Sequence, residues 1–135
     1  MKKYILTLLV GIVLVACTAV QNTISKIGSR QAVIANTQWV LADNVSGKKP
    51  TMALEVGKVT GNAGCNNYFG ELILDASNGT FIARNIGSTK MACDNLNEEN
   101  NFFQMLEAAN KYVINGNVLE LYKDHLLLMK FNKTN

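Results

Sequence analysis

Only one stretch of this 135-residue chain repeats with a helical period, and short alternating runs flank it on both sides. Phe102, Met105, Leu106 and Ala109 fall at i, i+3, i+4 and i+7, with Phe103 widening the stripe. Asn95 stands where a helix cap belongs. Glu98 completes a capping box with it, and Glu99 adds negative charge to the first turn. The stripe predicts a helix packed on a sheet, with core packing rather than cofactor binding as its role.

The rest of the domain reads in twos. Trp39 and Leu41 share a face, as do Met52, Leu54 and Val56 after a turn at Ser46-Gly47, and Lys58 to Thr60 follow through Gly57. Tyr68 to Asp75 places Leu72 and Leu74 together, and Asn78-Gly79, which tolerates positive φ, turns the chain into Phe81 to Ile86. Beyond the helix come Tyr112 to Ile114, Val118 to Tyr122 and His125 to Phe131, split by turns at Asn115-Gly116 and Lys123-Asp124. Such spacing marks antiparallel strands joined by short turns. A single helix cannot cover both faces of about eight strands. The prediction is therefore an α+β fold, mostly β: an eight-stranded curved antiparallel sheet, a half-barrel or open barrel, wrapped around the helix.

The N-terminus carries a different signal. Met1-Lys2-Lys3 precedes an apolar run from Tyr4 to Val15, and Leu14-Val15-Ala16-Cys17 closes it. A basic start, a short apolar core and a small residue before the cut describe a secretory signal peptide. The run falls short of the roughly 20 residues a bilayer span needs. Its last four positions resemble the bacterial lipobox, in which the Cys is acylated and becomes the new N-terminus. Residues 1–16 thus read as a lipoprotein signal peptide, 17–35 as a lipidated polar tether and 36–132 as the domain.

Charge adds little about partners. Two of the 13 Lys and Arg, Lys2 and Lys3, fall in the leader, so 11 face the 10 Asp and Glu. The pair Lys48-Lys49 reads as a solvated loop and not a basic face, which disfavours nucleic acid as a partner. With Cys17 assigned to lipid, Cys65 and Cys93 remain. In an oxidising compartment they read as a disulfide. Two buried free thiols, or a metal site, are the alternatives, although zinc wants four ligands and His125 is the only histidine.

No catalytic constellation stands out. His125 could act as a general base, but it reads better as a rim residue. The stretch Val59 to Asn66 is glycine-rich, yet it lacks the Lys-Ser/Thr ending of a phosphate loop and no helix pattern follows it. Cys93 precedes a helix start, which favours a thiolate, but Cys-x-x-Cys is missing.

These blocks carry a family resemblance. Val59-x-Gly61-x-x-Gly64-Cys65-Asn66-x-Tyr68-x-Gly70 resembles the signature of the META/HslJ domain, and Ile86-Gly87-Ser88-Thr89-Lys90-Met91-Ala92-Cys93 is similar to its second block. Trp39-x-Leu41, Glu99-x-x-Phe102-x-x-x-Leu106 and Tyr112-x-Ile114-x-Gly116-x-x-Leu119-x-Leu121 continue it in order, from about Asn36 to Phe131. The resemblance implies a bent antiparallel sheet around one helix in a bacterial envelope protein, often a lipoprotein. It also implies links to heat shock and novobiocin resistance, and a fold like that of a secretion pilot lipoprotein that holds a lipid. It supplies no catalytic residues.

The expected function is therefore a non-catalytic envelope lipoprotein without a cofactor, monomeric and tethered to the membrane through Cys17. It would bind a partner protein or an apolar ligand. If the cell has two membranes, Thr18 after the lipidated Cys suits the outer one, facing the periplasm. The competing reading is a thiol redox protein using Cys65 and Cys93, or a hydrolase using His125.

Overall fold

Two-residue turns decide the topology. Glu55 pairs with Lys58 across Val56-Gly57, Asn115 with Val118 across Gly116-Asn117, and Lys123 with Leu126 across Asp124-His125. Connections this short allow only antiparallel neighbours. The computed structural model describes residues 26–134. Its elements are β1 (Thr37–Leu41), β2 (Thr51–Glu55), β3 (Lys58–Asn62), β4 (Asn67–Asp75), β5 (Thr80–Ser88), α1 (Leu96–Ala108), β6 (Lys111–Asn115), β7 (Val118–Lys123) and β8 (Leu126–Thr134). All eight strands foreseen in the sequence form, and α1 is the one helix among the described residues.

The sheet is a closed barrel in the order β1 to β8, not the open half-barrel expected. Four residue pairs, from Gln38↔Thr134 to Leu41↔Phe131, zip β1 to β8. The expectation weighed apolar faces and overlooked edges. A meander of eight strands brings its first and last members together, and pairing them removes both exposed edges.

The seam between β5 and β6 is the thin part of the wall. Only Thr80↔Lys111 pairs there, supported by Phe81 N–H to Asn110 O (3.3 Å) and Tyr112 N–H to Gly79 O (2.8 Å). Beyond Ser88 the chain runs into α1 before it reaches β6, and Phe102 and Leu106 fill the core beside a seam that pairs only at Thr80. Lower down, the segment ahead of β1 takes over. Gln31 Oε1 accepts the Ile114 N–H (3.0 Å), Gln31 N–H reaches Ala76 O (2.8 Å) and Tyr112 OH donates to Ala32 O (2.8 Å). Ile34 is buried in the barrel core. Residues 26–35 thus form a strap against the barrel, within the segment read as a tether. Cys17 and the leader lie outside the described residues.

The interior is packed with side chains. Trp39, Met52, Leu54, Val59, Phe81, Tyr112, Leu119, Leu121, Met129 and Phe131 are all at most 2% exposed. Phe102 adds edge-to-face contacts with Tyr68 (5.6 Å) and Phe131 (6.4 Å).

Three local expectations need correcting. Asn95 makes no side-chain cap, and Glu98 accepts the Ser46 N–H (3.4 Å) instead of closing a capping box. Val56 leaves its strand face for the β2–β3 turn, where it is 83% exposed. The β4–β5 connection is a four-residue loop rather than an Asn-Gly turn, because Asp75 Oδ1 captures the Ser77 N–H (2.9 Å) and hydroxyl (2.6 Å). Higher up the same strands, Asn85 takes φ 53 where the register shifts opposite Gly70, which bends the pair.

Candidate binding site

In a meander barrel, loops alternate between two ends. The β1–β2 loop, the β3–β4 loop and the β5–α1 segment share one end, and the family-motif residues gather there.

Gly61 begins the arrangement on β3. A Cβ at this position would run into the Thr51 carbonyl and the Tyr68 hydroxyl. Only glycine leaves room for Tyr68 OH to donate to Thr51 O (2.9 Å). Burial pushes the Tyr68 phenol up, so it stays a neutral donor. Gly64, at φ 102, then turns the chain, with Asn62 Oδ1 accepting its N–H (3.0 Å). Gly70, the last motif glycine, lies against the Ile86 side chain at the bend.

Cys65 and Cys93 follow as a disulfide, with Cα atoms 6.2 Å apart. It joins the β3–β4 loop to the residues entering α1. Next to it, Asn66 is only 2% exposed and is bonded on every side. Its Oδ1 accepts from Thr89 Oγ1 (2.8 Å) and Met91 N (2.7 Å). Its Nδ2 donates to Glu99 Oε1 (2.8 Å) and Met91 O (3.3 Å), and its own N–H reaches Glu99 Oε2 (2.8 Å). Both oxygens of the Glu99 carboxylate, itself 4% exposed, are thereby satisfied. Met91 contributes backbone only, since its side chain is 55% exposed.

The structure therefore unites Gly61, Gly64, Cys65, Asn66, Tyr68, Thr89, Met91 and Cys93 at one end of the barrel. Among them Asn66, Thr89, Met91 and the disulfide tie two loops to Glu99 in the first turn of α1. The sequence reading missed Glu99 as their partner and gave it only a dipole role. The signal was present, because Glu99 stands three residues before Phe102, on the apolar stripe itself. A carboxylate on a buried face needs a donor.

His125 is exposed in the β7–β8 turn and does not line the site. Among the described residues, no three His, Cys, Asp or Glu side chains group to hold a metal. At this end a groove of about 250 Å³ lies between the β1–β2 loop and α1. Leu41, Val45, Pro50, Ala63, Phe102 and Met105 supply its apolar lining, and Asp43, Lys48 and Glu98 its charged members. A wider polar recess beside it is lined by Ser46, Asp94 and Asn97.

The model of the META domain family matches residues 32–134. No curated protein matches the sequence. Among solved structures, the fold resembles the NMR structure of a protein from Burkholderia xenovorans, with a TM-score of 0.63 at 20% identity over 76% of this chain and 84% of that one. A second NMR structure is similar at a TM-score of 0.57 and 23% identity, over 73% and 90% of the two chains. A crystal structure of a DUF4847 family protein from Bacteroides vulgatus gives 0.54 at 18% identity, over 76% and 97%. At these identities the likeness is one of fold alone. The family match, by contrast, runs from the strap through β8 and takes in every residue of the disulfide and hydrogen-bond lock, and the chain belongs to the META domain family.

Proposed function

We propose that this META-domain chain is a bacterial cell-envelope lipoprotein, anchored by acyl chains on Cys17, that works by binding a partner protein without catalysis. The lipobox-like Leu14-Val15-Ala16-Cys17 supports the anchor, and two or three acyl chains hold a protein firmly where one does not. In a cell with two membranes, Thr18 favours the outer one, with the domain in the periplasm. The family's association with envelope stress and drug resistance supplies the setting.

The lining of the groove carries the binding reading. Leu41, Val45, Pro50, Phe102 and Met105 form an apolar floor beside Asp43, Lys48 and Glu98, and the groove opens beside a wider polar recess instead of closing over a ligand. An apolar floor with a charged rim suits one protruding aromatic or aliphatic side chain, the usual anchor of a protein interface. An acyl chain would need a deeper cavity, and the barrel interior is already filled. The redox alternative has Cys65 and Cys93 to draw on, but they tie loops that Asn66 and Glu99 hold as well.

The test is photo-crosslinking in intact cells, with a photoreactive residue replacing Asn101 at the groove. One recurrent protein adduct, lost when Met105 is changed to Glu, is the expected result. A diffuse smear, or adducts indifferent to Met105, refutes the groove as a docking site. Intact mass of the membrane-extracted chain checks the anchor separately, since a mature mass without acyl chains sinks it.

A further inference from the structure

The end of the barrel opposite the motif residues carries a second surface feature. Val33 on the strap is 75% exposed, Val56 at the β2–β3 turn 83% and Ile73 on β4 40%. All three line one shallow depression of about 420 Å³. Ile82, paired with Ile73 across β4 and β5, extends the apolar surface outward. Arg30, Lys58 and Lys111 flank it, against Glu55 and Asp75, while Arg84 and Glu71 neutralise each other in an ion pair of 2.8 Å. Cations therefore outnumber anions around an exposed apolar centre.

We infer that this end of the barrel rests on the bilayer, with Val33, Val56 and Ile73 against the lipid and the flanking cations on anionic headgroups. The inference rests on the proposed anchor at Cys17. Eight residues separate Cys17 from Lys26, and even fully extended that stretch spans only about 30 Å. The strap that continues them lies at this end of the barrel, which brings this end, and not the groove, closest to the membrane. Apolar side chains ringed by Lys and Arg are the composition that partitions into an anionic interface. The groove then faces away from the bilayer, open to a partner.

The experiment uses the full acylated chain in vesicles containing anionic phospholipid, with an environment-sensitive fluorophore on Val56→Cys or, as control, on Leu126→Cys. Both sites are exposed turn-proximal positions, and Leu126 follows the β7–β8 turn at the far end. Lipids carrying a quencher near the headgroup should extinguish most emission from position 56 and leave position 126 bright. Floating vesicles with both probes bright, or with only position 126 quenched, overturn the orientation and leave the anchor intact. Position 56 bright in pure lipid but shielded in native membranes assigns the patch to a protein and overturns the lipid contact. A chain that fails to float with the vesicles overturns the anchor and the orientation together.

Discussion

Replacing Asn66 with Ala removes the residue on which the motif end converges. Four side-chain hydrogen bonds disappear: two from Nδ2, to Glu99 Oε1 and Met91 O, and two to Oδ1, from Thr89 and Met91 N. The bond to the buried carboxylate contributes about 1.5–3 kcal/mol. The other three are neutral and only half-buried, so water entering beside the loop replaces part of them and they add about 1–2 kcal/mol together. Glu99 keeps one donor, the backbone N–H of residue 66. The net loss is about 3–4 kcal/mol, which lowers Tm of a domain this size by about 15–25 °C. Trp39 is the only tryptophan and is buried, so its fluorescence in urea reports global unfolding. The midpoint should fall at constant slope. Glu99→Ala removes the same pair from the other side, and the double variant should cost little more than the worse single. A loss under about 1 kcal/mol, or single losses that simply add, refutes the lock.

Three further outcomes test other parts of the structure. Reducing the disulfide between Cys65 and Cys93, 28 residues apart, should cost about 3–4 kcal/mol by chain entropy, read as a lower urea midpoint with reductant; an unchanged midpoint counts against a structural bond. Gly61→Ala drives a methyl into the Thr51 carbonyl and the Tyr68 hydroxyl and should cost about 1–3 kcal/mol in the same assay, whereas neutrality would mean the two strands part freely. Hydrogen bonds from Asn85 and Arg84 hold the Glu71 carboxyl below its ordinary range, and those from Ser77 do the same for Asp75. A lowered folded pKa means stability that is fully present above the ordinary carboxylate range and lost as pH falls through the lowered value. Both groups are exposed, so the effect on stability is small. Carboxyl NMR titration should still place both below free carboxylates, and ordinary values would dissolve these contacts.

How much of this was legible depended on where each signal lived. Strands announced themselves because alternation and turn chemistry are local, and the helix because Phe102, Leu106 and Ala109 repeat with its period. Closure was not legible. It depends on β1 meeting β8 some 90 residues later in the chain, and no local pattern encodes that pairing. The strap was hidden for a similar reason. Gln31 reads as a polar tether residue until Ile114 presents an N–H that β5 does not pair. Glu98 and Glu99 exchanged their expected importance because a helix start shows two carboxylates to the reader. Only the fold shows that the second points at Asn66 while the first turns to Ser46.

The two ends of the barrel meet opposite demands, and this bears on how the protein recognises anything. Long loops at the motif end would ordinarily fray and lose entropy on binding. Here a covalent bond and the bonds of Asn66 and Glu99 fix the loops beside the groove, so the docking proposed above would avoid most of the ordering cost. The opposite end has short turns and no such lock, and the chain fills that mouth with Ile34 and covers the seam with Gln31. Among the described residues, α1 packs Phe102 and Leu106 into the core from one side, the strap adds Ile34 from the other, and large side chains occupy the space between. The proposed docking therefore draws on a rim fixed in advance, and the proposed acyl anchor at Cys17 would keep its lipid outside the barrel.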